Sequence, residues 1–483
     1  MTDHIFTGYW WEAGSPEKKQ PGTLQIEPDG RCGLSLIEGF DLFTEQTEDG
    51  FGSLGERHLD IVHGYAGDTE ITLIDCYSNN TNIDLFTGKI NSQHIRARKA
   101  LVGIHLEDQN SNEFRSCRIQ LENFHHWAMK GKSTTGLNTD GQKVTVSFKD
   151  EKSIPFDADG CSFTMDTVSN LNFRRNSRQF PSVLGETSTT LHIDSHGLRS
   201  ENGFDDLASA ILDLLSLARD EPSSIIQQIL VHDESCRTAL PIFDQAGALA
   251  FDENGKPLVE YTVMHRSATV HTQRVFTSIS KSPSRSESKP FLFTAADMPL
   301  GEVLPKWLDL RRKVRTSTDM LFSLLYARPR YTEIRMLVAA AAAEALSRSL
   351  DKDVLPMLPF DFDRLCTASL GAIDPRDHGR FLSVFRNEPN YRDRVLHLTC
   401  IPHPSAVDIV IPDREKWADD LRDARHGLAH GLQDRARTGN IGLLYERTIY
   451  LIYLVLMHEL GFSEAVQVRA AESNQYLVAR MGR

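Results

Sequence analysis

The sequence predicts a multidomain chain: a β-rich, sandwich-like N-terminal region over residues 1–276 and an all-α helical bundle over 301–483, joined by a linker over 277–300. Three observations carry this expectation. The first 270 residues hold short β-branched and aromatic runs separated by Gly-, Asn- and Asp-containing connectors. Residues 277–290 (TSISKSPSRSESKP) are dense in Ser and Pro and poor in apolar residues, as in a linker or long loop. Beyond residue 300, Ala and Leu dominate and apolar positions recur at three and four.

The strand-like runs are LSLIEGF (34–40), LDIVHGY (59–65), TEITLIDCYS (69–78), KALVGIHL (99–106), RSCRIQLENF (115–124), KVTVSFKD (143–150) and TTLHIDS (189–195). Many short strands with regular turn signals argue a sandwich or a barrel-like domain. One helix interrupts them near 204–220, where Leu207, Ile211, Leu214, Leu215 and Ala218 share a helical face. That interruption allows two subdomains. Four helices are expected after residue 300: LPKWLDLRRKVRTSTDMLFSLLYA, YTEIRMLVAAAAAEALSRSL, REKWADDLRDARHGLAHGL and NIGLLYERTIYLIYLVLMHEL. The apolar run 448–457 is bracketed by Glu446, Arg447, His458 and Glu459. It is far shorter than the ~20 residues of a membrane span and reads as a buried helix, so no membrane partner is expected.

Composition narrows the function classes. The net charge is −13, which argues against a protein coated all round by nucleic acid. The charge is uneven: residues 303–483 carry 26 basic and 23 acidic residues, whereas residues 1–302 carry 27 and 43. Of the 26, 22 are Arg, whose planar fork suits phosphate and stacked bases. An Arg-rich surface also arises simply from GC-rich coding. The seven cysteines are scattered and form no CxxC pair, so neither a disulfide framework nor a zinc knuckle fits and a cytoplasmic setting is expected. No signal peptide is visible at the N-terminus. KGKSTTG (130–136) lacks the leading Gly of a P-loop, because His126 stands there.

The chemistry-bearing candidate is RHGLAH, Arg425 to His430. Arg-x4-His is weak as a pattern: three occur, where chance gives roughly one or two. Arg266 and His271 sit in strand-like text, where five steps point side chains to opposite faces. Arg392 and His397 sit in a stretch that turns from loop to strand. Only Arg425 and His430 lie on an amphipathic helix leading to a long apolar one. Five steps on an ideal helix separate the two by about 140°, so they converge only if the helix bends or ends near Gly427 or Gly431, if Arg reaches across, or if a second copy contributes.

At these residues the sequence resembles the HEPN superfamily of RNases, whose motif is Arg, a polar residue, a short spacer and His; here Arg425, His426, the spacer 427–429, and His430. Residues 6–40 (FTGYWWEAGSPEKKQPGTLQIEPDGRCGLSLIEGF) resemble the opening of the ApeA family of phage-defence proteins, in which a β-rich domain precedes a C-terminal HEPN domain. The likeness is specific at 6–40 and 421–431; between them it is one of texture. It implies a metal-independent endoribonuclease toxin of an abortive-infection system, with tRNA among its candidate substrates and a 2′,3′-cyclic phosphate as product. It also implies a homodimer or higher homo-oligomer through the HEPN domain, and an N-terminal domain that senses a phage-derived trigger or restrains the nuclease. Arg425, His430 and His426 are the catalytic candidates; Arg422, Arg311, Arg312, Lys313 and Arg315 are candidate RNA contacts. No metal and no cofactor are expected. Each residue also has a plain structural role open to it: Arg425 paired with Asp419, Asp420 or Asp423, RRKVR (311–315) as a solvated face, and His426 with His430 as half of a zinc site lacking a third ligand. The rival reading is a non-catalytic HEPN dimerisation module beneath a ligand-binding β-sandwich.

Overall fold

The structure is a computed structural model and describes residues 3–40, 43–46, 52–54, 58–83, 90–128, 134–140, 143–149, 154–174, 182–242, 249–252, 256–273, 290–350, 356–430, 440–474 and 477. Most of the Ser/Pro-rich segment, residues 274–289, lies outside them. The chain divides into two compact units: residues 1–212 with 223–283, and residues 213–222 with 284–483.

The first unit begins with strands β1 (His4–Glu12), β2 (Gln20–Ile26), β3 (Cys32–Leu36), a hairpin β4 (Phe43–Gln46) and β5 (Gly52–Leu54), then β6 (His58–Ala66), β7 (Thr69–Ile83) and β8 (Ile90–Val102). The antiparallel order β8-β3-β2-β1-β6-β7 closes on itself because β7 also pairs with β8. Of the sandwich and barrel-like forms expected, this part of the β-rich region takes that of a six-stranded closed barrel. Closure removes the open edges that a flat sheet exposes. Alternate residues point inward, and Trp10, Leu24, Leu34, Val62, Ile71, Leu73 and Ile95 form the core. Trp10 sits opposite Gly64 in the β1–β6 register. A Cβ on Gly64 would fall 2.2 Å from the Trp10 ring, so the indole occupies the space a side chain would take.

The sheet then continues outward. Along one edge β8 pairs first with β3, through residues 93–97, and then with β16 (Val259–Thr272), through residues 99–102. From there the order runs through β15 (Ile225–Pro241), β9 (Phe114–Leu121), β14 (Ser182–Arg199), β13 (Cys161–Arg174) and β12 (Phe156–Ala158). A small hairpin pairs β10 (Thr134–Asp140) with β11 (Lys143–Lys149), after the short helix α1 (Phe124–Ala128). The predicted helix near 204–220 is α2 (Glu201–Arg219). Its first residue is anchored by charge: fully buried Glu201 accepts a hydrogen bond from buried Lys99 of β8, and Asp205 lies 3.1 Å from the same ammonium.

The second unit is helical: α3 (Leu300–Lys313), α4 (Arg315–Ala327), α5 (Thr332–Leu350), α6 (Pro359–Gly371), α7 (His378–Val384), α8 (Tyr391–Leu398), α9 (Pro404–Val410), α10 (Arg414–His430), α11 (Ile441–Leu460) and α12 (Glu464–Glu472). The first expected helix is thus two, parted at fully buried Val314, whose φ of −113° and ψ of 28° leave the helical region. Helix α11 is the only described helix long and apolar enough to cross a membrane by length and composition. Every residue from Thr448 to Met457 is buried in the bundle, where α11 packs on α3, α5, α9, α10 and α12. Ala339, Ala340, Ala342 and Ala343 bury a small-residue face of α5, which allows neighbouring helices to approach closely.

Candidate active site

Helix α10 is capped by Asp413, whose side chain accepts from the Lys416 N–H at 3.0 Å. Trp417, Ala418, Leu421 and Ala424 recur at one, three and three residues and bury its inner face. Arg425 follows at the edge of that face, with 43% of its side chain exposed. Its Nη2 donates to Glu344 Oε2 of α5 at 2.9 Å, and its guanidinium lies 4.5 Å over the ring of Tyr391 of α8. Tyr391 is itself fixed, donating from its hydroxyl to the Ala340 carbonyl at 3.2 Å; burial pushes its phenol well above the ordinary range. Glu344 also accepts from Arg348 Nη2 at 3.1 Å. Three helices therefore hold one cation in one orientation while leaving part of it open to solvent.

His426 is exposed beside Arg425. His430 is the last residue of α10, and its side chain, like residues 431–439, lies outside the described residues. The helix continues unbroken through Gly427 to His430, so it does not end near Gly427, and on an ideal helix positions 425 and 430 lie about 140° apart. Arg422 is exposed and paired with Asp419 at 3.0 Å and Asp423 at 2.9 Å.

The RRKVR run is divided among other contacts. Arg311 is bound by Nε at 3.0 Å and Nη2 at 2.9 Å to Asp213, a nearly buried carboxylate. Tyr326 donates to the same Asp213 at 2.6 Å, and burial pushes the Asp213 carboxyl up to about 6. Arg312 pairs with Asp309 at 2.9 Å, Lys313 lies 3.8 Å from Glu459, and Arg315, the most exposed of the four, lies 3.6 Å from Asp319. These residues sit on α3 and α4, whereas Arg425 sits where α5, α8 and α10 meet.

The rival motifs resolve differently. Arg392 and His397 lie on α8, a helix and not a strand, opened by an Asn390 side chain that accepts from the Asp393 N–H at 3.0 Å. Arg392 is tied to Glu415 and, at 2.7 Å, to Asp419 on the outer face of α10. Arg266 is bound to Glu70 and to Glu234 on the sheet. Among the described residues, no group of three or more His, Cys, Asp and Glu side chains is arranged to hold a metal ion. Glu344 and Tyr391 escaped the sequence reading. The signal for Glu344 was a single carboxylate inside an otherwise apolar alanine run, 339–346.

A β-rich region followed by a helical bundle that presents an Arg-x4-His segment defines a HEPN-type protein. The family model described as Apea-like HEPN matches residues 337–466, a span that includes Glu344, Tyr391, Arg425 and His430. The model of ApeA N-terminal domain 1 matches residues 5–307, more than half of the chain. The chain belongs to the ApeA family. This membership supports a HEPN-type anti-phage effector of the nuclease class. No curated protein and no solved structure matches the chain.

Proposed function

We propose that the protein is a metal-independent endoribonuclease acting in the cytoplasm in abortive infection, with Arg425 and His430 at its centre and the N-terminal region sensing a trigger or restraining the nuclease. The observation that carries this reading is the held but partly open guanidinium of Arg425. Cleavage of RNA without metal uses the 2′-OH as nucleophile and forms a 2′,3′-cyclic phosphate as the 5′-oxygen leaves. One group must take the 2′ proton and another must protonate the leaving oxygen; histidine suits both, with an unperturbed pKa near ~6.5. A cation fixed in advance stabilises the charge gathering on the phosphorane. Because α10 continues as helix past Gly427 to His430, with about 140° between positions 425 and 430 on an ideal helix, a second copy supplying its own Arg and His is the simplest way to complete the site, which favours a homodimer. His426 would orient the phosphate or its histidine partner. Arg422 and Arg315, both exposed, and the Arg311–Lys313 segment would contact RNA flanking the cut.

The Arg425–Glu344 pair also favours a second reading, a dimerisation module in which Arg425 serves only to join helices. Incubation of the purified full-length chain with RNA in EDTA, followed by mapping of the cut ends, separates the two. Cleavage leaving 2′,3′-cyclic phosphates supports the enzyme. No cleavage by the dimer with or without infection extract, or cleavage that requires added Mg²⁺, refutes the proposal.

A further inference from the structure

The helical unit contains a cavity of about 1060 Å³ that none of Arg425, His426, Glu344 or Tyr391 lines. Its two sides differ in chemistry. One is apolar, made by Leu321, Leu324 and Leu325 near the end of α4 and by Ile449 of α11. The other is cationic: Arg328 and Arg330 come from the turn between α4 and α5, and Arg335 from the first turn of α5. Arg328 ends α4 in the left-handed region, at φ 42°, which reverses the chain and sets the turn at the cavity mouth. The Arg335 guanidinium lies 5.7 Å over the Tyr445 ring, and its buried Nε has no hydrogen-bond partner.

Two helices also begin here. Thr332 opens α5 and Gly442 lies in the first turn of α11, and both line the cavity. Helix N-termini present N–H groups and partial positive charge to an anion. Two carboxylates share the walls. Asp220 accepts from the Tyr450 and Tyr453 hydroxyls at 2.8 and 2.9 Å, and Glu446 accepts from Asn474 Nδ2 at 3.3 Å. The three arginines and two helix ends outweigh them in positive charge.

We propose that this cavity is a binding site for a nucleoside phosphate. The phosphates lie against Arg328, Arg330 and the two helix ends; the base enters between the apolar wall and the Tyr445–Arg335 layer. A bare anion would need neither the apolar wall nor so large a space, which lies just above the roughly 300–1000 Å³ typical of small-molecule pockets. Guanidinium and phenol faces both suit stacking on a base.

The site stands independently of the nuclease reading, and its test reads binding, not cleavage. The full-length chain is titrated calorimetrically with adenosine 5′-triphosphate and with guanosine 5′-monophosphate. At least one should bind saturably, once per chain. Arg330→Ala, Arg328→Asn (which keeps a residue tolerant of the left-handed turn) and Tyr445→Leu should each weaken binding by ~10-fold or more, while Arg425→Ala should leave it unchanged. Absence of saturable binding up to millimolar nucleotide overturns the proposal, as does binding indifferent to the Arg330 and Tyr445 substitutions. Equal displacement by inorganic phosphate would reduce the cavity to a plain anion site and overturn the nucleoside assignment. Tighter, equally arginine-dependent binding of a 2′-O-methyl RNA oligomer would make it part of the substrate groove and overturn it too.

Discussion

Arg425 and Glu344 are 81 residues apart in sequence and joined by a 2.9 Å hydrogen bond between α10 and α5. The bond fixes one edge of the guanidinium, and the Tyr391 ring fixes one face. The remaining edge is what a phosphate can use.

Glu344→Gln should therefore act on cleavage more than on folding. The pair is partly solvated, so its loss should shift stability by about 1 kcal/mol or less. Mispositioning of Arg425 should lower the cleavage rate by ~10-fold or more. Single-turnover rates and thermal melts of the variant test this. A full rate with a lowered melting temperature would make Glu344 a joint between helices and nothing more.

Arg425→Ala should cut the cleavage rate ~10²–10³-fold and His430→Ala ~10²–10⁴-fold, with fold and dimer intact. Arg425→Lys should fail almost as badly, because an ammonium cannot reproduce a two-pronged contact. His426→Asn should be tolerated, since the motif asks only for a polar residue there and an amide can still hydrogen-bond a phosphate or a histidine. Arg392→Ala with His397→Ala serves as the control: Arg392 faces Glu415 and Asp419 and should be dispensable for cleavage. If that pair proves essential while Arg425 and His430 do not, the site lies elsewhere.

Asp213 gives the helical unit a pH signature. Burial raises its carboxyl to about 6, against the lowering by Tyr326 and Arg311. A raised acid pKa means that the folded state holds the proton more tightly than the unfolded one. The resulting stability is fully present below about pH 4, is lost as pH rises to about 6, and is on the order of 2–3 kcal/mol. Asp213→Asn cannot titrate, so the stability difference between wild type and variant should shrink across that window and stay flat above it. Urea unfolding at pH 4, 5, 6 and 7 measures this; a difference that grows with pH would show that the Arg311 pair outweighs desolvation.

Lys99 and Glu201 form a buried pair in the β-rich unit. Glu201→Ala leaves the ammonium with Asp205 at 3.1 Å. Removing one member of a buried pair typically costs ~3–5 kcal/mol, and the residual partner places the expected loss near the lower end, about 3 kcal/mol. Chemical denaturation followed by tryptophan fluorescence reads this directly. A loss under about 1 kcal/mol would mean that Asp205 takes over the whole interaction.

The sequence announced those parts of the fold that depend on local pattern. Leu207 to Ala218 marked α2, and the apolar density of 448–457 marked the buried centre of α11. Barrel closure was not legible, because it depends on β7 and β3 meeting opposite edges of β8. The break at Val314 was hidden too: no Gly or Pro marks it, and a fully buried Val within an apolar-periodic stretch gives no local sign of leaving the helical region. Helix α8 could have been found from Asn390 followed by Asp393, a cap and an acidic first turn. At the candidate site, Arg425 was visible through its motif, whereas the Glu344 and Tyr391 contacts span 81 and 34 residues and follow from tertiary packing alone. The Arg311–Asp213 pair is likewise invisible in the sequence, because its two members lie 98 residues apart.

β8 serves as a common ruler. Its residues 93–97 set the register of β3, residues 99–102 set that of β16, and its other edge sets β7. One amino acid inserted near Arg98 would shift the frame between the first two while reversing inside and outside along the strand beyond it. The ring and the sheet that grows from it are thus written in a single frame. Length changes in this unit can accumulate in its connections, but β8 itself must keep its count.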